Sequence, residues 1–227
     1  MGVLLMLMSI GGSVLALIVL IIAIFKKQQW LRNFVMGGVL IWFAFYLIAL
    51  LGFSLTSKER ELGLNEPKEY CGFYLDCHLH TLMTNVRMAK QLGNRSAQGT
   101  FLIVNIKVFS DAKNPNMVFR LIVPKAFIED GSGQTYSRVM EAENELSSGP
   151  VQLNQNIKGR ETIEKEIVFD VTKPTNQLKL SITEGYGIDK YIEAVLIDDE
   201  DSIFHQPTLF KIETNLQTAS TQNKLQR

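Results

Sequence analysis

Two apolar runs close to the N-terminus limit what this chain can fold into. Residues 3–25 (VLLMLMSIGGSVLALIVLIIAIF) and 34–53 (FVMGGVLIWFAFYLIALLGF) contain no charged side chain. A helix rising about 1.5 Å per residue needs roughly 20 apolar residues to cross a hydrocarbon layer about 30 Å thick, and both runs reach that length. Lipid offers no partner to backbone N–H and C=O groups, so each run is predicted to be a helix. Buried helices of a soluble core are seldom free of polar interruptions. Residues 1–53 are therefore expected to form a transmembrane hairpin.

A cleaved signal peptide is the competing reading of the first run. It calls for a basic leader, a short apolar stretch and small residues at the cleavage point. Here only Met1 and Gly2 precede the run, which ends in Ile24-Phe25-Lys26-Lys27. A retained anchor is expected. The connection, residues 26–33, carries Lys26, Lys27 and Arg32 and no acid, and short basic loops stay in the cytoplasm. That orientation makes the chain a multi-pass protein of the cell membrane with both termini extracytoplasmic. Gly11, Gly12 and Ala16 on the first span and Gly37 with Gly38 on the second are small enough for close helix approach. They are expected to pack the hairpin against itself, with association to another membrane protein as the alternative. Neither span holds an Asp, Glu, Lys, Arg or His, which argues against an ion path.

Beyond the hairpin the chain is long enough for one domain of ordinary size. Formal net charge is zero, with 23 Lys+Arg and 23 Asp+Glu, but every acid lies beyond residue 54. With three cations in the loop, the external part carries a net charge of −3. Such a surface does not suit nucleic acid, which is met by a basic stripe. The lipid bilayer itself and an envelope or membrane protein are the expected partners; no cofactor is indicated.

Residues 54–70 read as a stalk, with residues 57–62 prolonging the second helix and Gly63, Asn65 and Pro67 ending it. From there the pattern is β. Residues 100–110 place Leu102, Val104, Ile106 and Val108 on one face and Phe101, Ile103 and Phe109 on the other, as in a central strand buried on both sides. Residues 161–171 set Ile163, Ile167, Phe169 and Val171 against Thr162, Glu164, Glu166 and Asp170, and residues 177–183 alternate cleanly. Asp130-Gly131-Ser132-Gly133 is predicted to turn a hairpin between 126–129 and 135–138. Asn114-Pro115-Asn116 and residues 173–176 are further turn clusters, and 191–197 and 204–212 are further strand candidates. Val139–Leu146 is the one stretch outside the spans suited to a helical turn. Seven or more short strands joined by turns imply an antiparallel sandwich over residues 71–213. Residues 214–227, poor in large apolar groups, are expected to be disordered.

The only cysteines are Cys71 and Cys77, followed by His78 and His80. An even count in an oxidising compartment favours a disulfide. Six extended residues span about 20 Å, far more than a bridge tolerates, so the chain must fold back, with Gly72 supplying the freedom. Separate thiols and a metal site built from Cys71, Cys77, His78 and His80 are the alternatives. Cys and His suit copper or zinc, but in a strand His78 and His80 face away from Cys77, and the spacing is not that of a regular zinc site. His205 is a lone histidine in a strand pattern. Asp198–Asp201 lacks the spaced ligands of a calcium loop and reads as a solvated turn. Asn94-Arg95-Ser96 matches the glycosylation sequon. No nucleophile elbow, P-loop, dinucleotide fingerprint or HExxH is present, so the chain is not expected to be an enzyme.

Three stretches carry a family likeness: Gly99–Val108, Phe127–Tyr136 with Asp130, Gly133 and Tyr136, and Ile157–Val171 with Gly159 and Phe169-Asp170-Val171. They resemble a bacterial family of immunoglobulin-like extracytoplasmic domains of unknown function, grouped with an immunoprotective secreted antigen. The resemblance covers roughly residues 75 to 185. It implies one immunoglobulin-like antiparallel β-sandwich on the extracytoplasmic side; with the two-helix hairpin read from the apolar runs in front of it, the chain is expected to be a membrane-anchored all-β protein. It carries over no catalytic residues. The paired cysteines and the two-span anchor depart from the general pattern. The expected role is an extracytoplasmic protein-interaction module, with a metal or small-ligand binder using residues 71–80 as the alternative.

Overall fold

The computed structural model describes residues 2–71, 77–150, 152–173, 177–184 and 189–213. The expectations for Gly72, for residues 174–176 of the turn at 173–176 and for the tail 214–227 fall outside them. The chain forms two compact units. One comprises Met1–Arg60, Cys71–Cys77 and Gly185–Thr208; the other comprises Glu61–Tyr70, His78–Glu184 and Leu209–Arg227.

In the first unit the apolar runs fold as two long helices, α1 (Gly2–Phe25) and α2 (Gln29–Thr56). The reversal between them is closed by Lys27 in the left-handed region (φ 52°) and by the Gln28 amide donating to Ala23 O. Trp42 Nε1 donates to Ser9 Oγ at 3.0 Å, tying the two helices together. Both are long and apolar enough to cross a membrane, and only 11% and 6% of their most apolar stretches are buried.

The glycines do not have the expected place. A Cβ added at Gly11, Gly12, Gly37 or Gly38 would meet nothing within 4 Å, so these residues face open space and are not where the hairpin closes. Gly12, Ala16 and Gly38 instead line an apolar groove of about 420 Å³ with Trp42. Nor does α2 run on through residues 57–62. Ser57 turns extended (ψ 150°), its Oγ donating to Ser54 O at 2.6 Å, which terminates the helix.

The second unit is a β-sandwich. One sheet has the order β1 (Arg60–Leu62), β11 (Thr208–Ile212), β10 (Leu178–Thr183), β6 (Lys125–Asp130), β7 (Thr135–Ser137). The other runs β2 (Lys68–Tyr70), β3 (Leu79–Leu92), β4 (Arg95–Ser110), β9 (Thr162–Val171), all antiparallel. A small ribbon pairs β5 (Val118–Phe119) with β8 (Ile157–Lys158). The segment expected to be a stalk thus supplies an edge strand to each sheet. Three-residue strands with one or two inward side chains, Leu62 in β1 and Tyr70 in β2, carry too little periodicity to be read before their neighbours are in place.

Facing side chains of the two sheets make one core, with Val104, Ile106 and Phe169 from one and Ile128, Leu180 and Phe210 from the other fully buried. Burying an aromatic of this size stabilises by about 1.5–3 kcal/mol. Tyr70 bridges the sheets, its hydroxyl donating to Ile182 O and meeting Thr81 Oγ1, each at 3.1 Å. The central strand β4 is buried on both faces as its sequence predicts. Its second face, through Phe101 and Ile103, packs with Val168 beneath α3 (Met140–Glu143), which contributes Ala142, with Leu146 just beyond. This is the helical turn expected between 139 and 146.

Residues 191–197, expected to be a strand, are not one. The first unit has a short helix there, α4 (Asp189–Glu193), followed by tight turns in which the Val195 amide donates to Ile192 O and the Leu196 amide to Glu193 O. The run YIEAVLI is nearly continuous in apolar residues. Without alternation it specifies no strand face, and its hydrogen bonds close locally. Likewise only Thr208–Ile212 of 204–212 is strand, because Phe204 takes φ 65° and the His205 amide turns back to Ser202 O.

Candidate functional site

The histidines sit at the entry to β3, where they meet Asp111, just past the end of β4. His78 Nδ1 lies 2.7 Å from Asp111 Oδ1, and the Asp111 amide donates to His78 O at 3.2 Å. His80 Nε2 approaches the same carboxylate oxygen at 3.4 Å, too poorly aligned for a hydrogen bond. Among the described residues neither ring nitrogen of His80 has a hydrogen-bond partner. The ring is buried and stacked on Phe109, centroids 5.0 Å apart; His78 stays exposed, its ring T-shaped against that of Phe119. The hydrogen bond with His78 holds the Asp111 carboxyl below the usual carboxylate range, against some desolvation. Asp111 is the member of this cluster that sequence reasoning missed. It lies 33 residues from His78, and only the β3–β4 pairing brings it close.

Cys71 and Cys77 are joined by a disulfide. Their sulfurs are bonded to each other and are not thiolates, so the four-residue ligand set Cys71, Cys77, His78, His80 is not assembled. Among the described residues no three His, Cys, Asp or Glu side chains are arranged to hold a metal ion. The metal-binder alternative fails on this geometry.

The three stretches that carry the family likeness turn out to be structural devices. Gly99 begins the central part of β4 where a Cβ would fall 2.1 Å from Val171 O; Asp170 accepts the Gln98 and Gly99 amides at 2.7 and 2.9 Å. Asp130 organises the β6–β7 turn. Its Oδ1 accepts from the Ser132 amide, the Ser132 hydroxyl and the Gln134 amide, and its Oδ2 from the Tyr136 hydroxyl. The Ser132 hydroxyl is the main cause that lowers this carboxyl's pKa. Gly133, at φ 82°, supplies the left-handed residue of that turn. Gly159 lets the chain pass where a Cβ would lie 2.2 Å from Asn114 O.

The most deeply buried charge is also structural. Glu143, fully buried on α3, receives Arg138 Nε and Nη2 at 2.9 and 2.6 Å and the Val168 amide at 3.2 Å. A concavity of about 380 Å³ near β1 is lined by Glu61, Glu66, Lys211 and Glu213. Its charges are met nearby: Lys179 reaches Glu61 at 2.8 Å and lowers its pKa, and Glu66 accepts the Gly63 amide. In the acidic run, Asp199 accepts the Asp201 amide and Glu200 the Thr208 amide, while burial raises the Asp199 pKa. His205 contacts its neighbour's carbonyl, Gln206 O. The sequon Asn94-Arg95-Ser96 begins on the exposed β3–β4 turn.

Fold and side-chain chemistry together define a β-sandwich domain in which Gly99, Asp130, Gly133, Tyr136, Gly159 and Asp170 serve turns and packing, in a chain that also carries two long apolar helices. The sequence profile of a domain of unknown function, DUF4352, matches residues 76–193, and the chain belongs to that family. Among solved structures, the secreted protein MPT63 of Mycobacterium tuberculosis is similar at 13% identity, with 57% of this chain and 100% of that chain covered and a TM-score of 0.41. The yjhA protein of Bacillus subtilis is similar at 12% identity, over 66% of this chain and 98% of that one, with a TM-score of 0.40. An uncharacterised β-sandwich protein of Clostridium difficile 630 is similar at 13% identity, over 69% and 96%, with a TM-score of 0.40. No curated protein matches the chain.

Proposed function

We propose that this chain is a multi-pass protein of the cell membrane that displays an immunoglobulin-like β-sandwich on the extracytoplasmic side as an interaction module for another envelope protein. The observation that carries the reading is the outward-facing apolar surface of α1 and α2, of which only 11% and 6% of the most apolar stretches are buried. A helix of a soluble core hides such a surface; a membrane span presents it to lipid. The basic loop at residues 26–33 is assigned to the cytoplasm, which leaves both termini and the sandwich outside. A disulfide between Cys71 and Cys77 accords with an oxidising compartment. The side chains of the stretches that carry the family likeness are spent on turns and strand packing, so the function is assigned to the displayed surface and to binding rather than catalysis.

Protease added to intact cells stripped of their wall tests the placement. Degradation of the sandwich with retention of a membrane-embedded fragment containing α1 and α2 is expected; protection until the cells are lysed would reverse the orientation. Native mass spectrometry of the full-length protein, released gently from its own membrane, tests the role. A stoichiometric second envelope protein supports it, and a chain that emerges alone refutes it.

A further inference from the structure

We infer that residues 191–207 form an interfacial element that inserts its exposed apolar side chains into the outer boundary of the bilayer; the inference rests on α1 and α2 being membrane spans. Three hydrogen bonds run the segment along α2. Tyr46 Oη donates to Val195 O at 2.7 Å, Ser54 Oγ meets Ser202 Oγ at 3.1 Å, and Ser57 Oγ accepts the Gln206 amide at 2.8 Å. Tyr46 to Ser57 is a climb of roughly 16 Å along a helix axis. The start of α1 meets the same segment, for a Cβ at Gly2 would fall 2.3 Å from Ile197 O. Of the buried residues in the two helices, Gly2, Met6, Leu50 and Ser54 lie at this end, away from the basic loop.

The depth follows from the spans. An apolar layer about 30 Å thick that begins at Phe34 ends near Phe53. Val195 O, bonded at the level of Tyr46, therefore lies roughly 10 Å inside that boundary, while Gln206 lies beyond it. A non-helical carbonyl at such depth needs a donor from the protein. The Tyr46 hydroxyl, set within an otherwise apolar run, is that donor. Along this path Tyr191, Val195, Ile203 and Phe204 stay exposed. Phe204 is 62% exposed in a left-handed turn, and aromatic side chains favour the membrane interface. The acids at 198–201 give the segment no attraction to anionic headgroups, so apolar insertion drives the contact.

The test uses the full-length protein in phosphatidylcholine nanodiscs, with photoreactive p-benzoylphenylalanine placed singly at Ile41, Val195, Phe204 or Ser132. After irradiation the intact mass is read. The expected result is an adduct of one phospholipid at Val195 and Phe204, in yield comparable to Ile41 on the span, and none at Ser132 on the β6–β7 turn. Adducts at Ile41 without adducts at Val195 and Phe204 overturn the interfacial element and leave the spans standing, as does crosslinking of those two positions to a second protein. Adducts at Ser132 as abundant as at Val195 make the labelling non-specific and also overturn the inference. No adduct at Ile41 refutes the spans and the inference together.

Discussion

Replacing Glu143 by alanine probes the ion pair that fastens α3 to the outer face of the β3–β4–β9 sheet. The carboxylate is fully buried, and the Arg138 side chain that meets it is only 14% exposed. Removing one member of a buried pair strands the other charge, which costs about 3–5 kcal/mol. The Val168 amide also loses an acceptor at 3.2 Å, by itself worth about 1–3 kcal/mol. These costs overlap, so we expect Glu143→Ala to lower stability by about 3–5 kcal/mol in total. Both tryptophans, Trp30 and Trp42, lie in α2 and do not report on the sandwich. Hydrogen exchange of β9 amides in the full-length protein does. Their protection is expected to fall by about two to three and a half orders of magnitude. The double variant Arg138→Met/Glu143→Leu removes both charges and is expected to recover part of the loss, because a packed apolar pair avoids the desolvation cost while the Val168 amide stays without its acceptor. Protection within a factor of three or so of the unmodified protein in Glu143→Ala, about 0.6 kcal/mol, would refute the reasoning. So would a double variant as unstable as the single one.

Gly99→Ala is expected to force β4 away from the end of β9, since the new Cβ meets the backbone at Val171. Overpacking of this kind costs about 1–3 kcal/mol or more, read as a lower melting temperature. Acidification is expected to weaken the sandwich: the Asp111 and Asp130 carboxyls are held below their ordinary values in the fold. Their stabilisation is present above the unfolded value of about 3.9 and is lost as the pH falls through the lower folded values. Melting followed against pH, with Asp111→Asn/Asp130→Asn as the flattened control, checks the sign. Reducing the Cys71–Cys77 bridge, which closes a loop with a separation of 6 residues, is expected to remove about 2 kcal/mol of stability, and the oxidised protein should weigh two hydrogens less than the reduced one.

Hydrophobic periodicity was enough to read the long elements. The apolar runs became α1 and α2 within a few residues of their expected ends. The alternation in 100–110, 161–171 and 177–183 became β4, β9 and β10, because a strand buried by its neighbours must alternate wherever it is placed. The Asp130–Gly133 turn was legible for the same local reason: its hydrogen bonds close within a few residues of Asp130. Short edge strands were not. Leu62 and Tyr70 acquire meaning only once β11 and β3 lie beside them, and the run at 191–197 is apolar on too many sides to declare a strand or a helix.

What the sequence alone determined, then, were the properties carried by contiguous residues: two helices of membrane-spanning length, a β-rich remainder, turns, and a family likeness. Only the tertiary structure decided the meetings of distant residues. Asp111 reaches His78 and His80, Arg138 and Glu143 meet the Val168 amide, Tyr46 meets Val195, and the hairpin glycines face open space. Sequence separation imposes no distance on such pairs, so their contacts depend on strand register and packing, which no local pattern encodes.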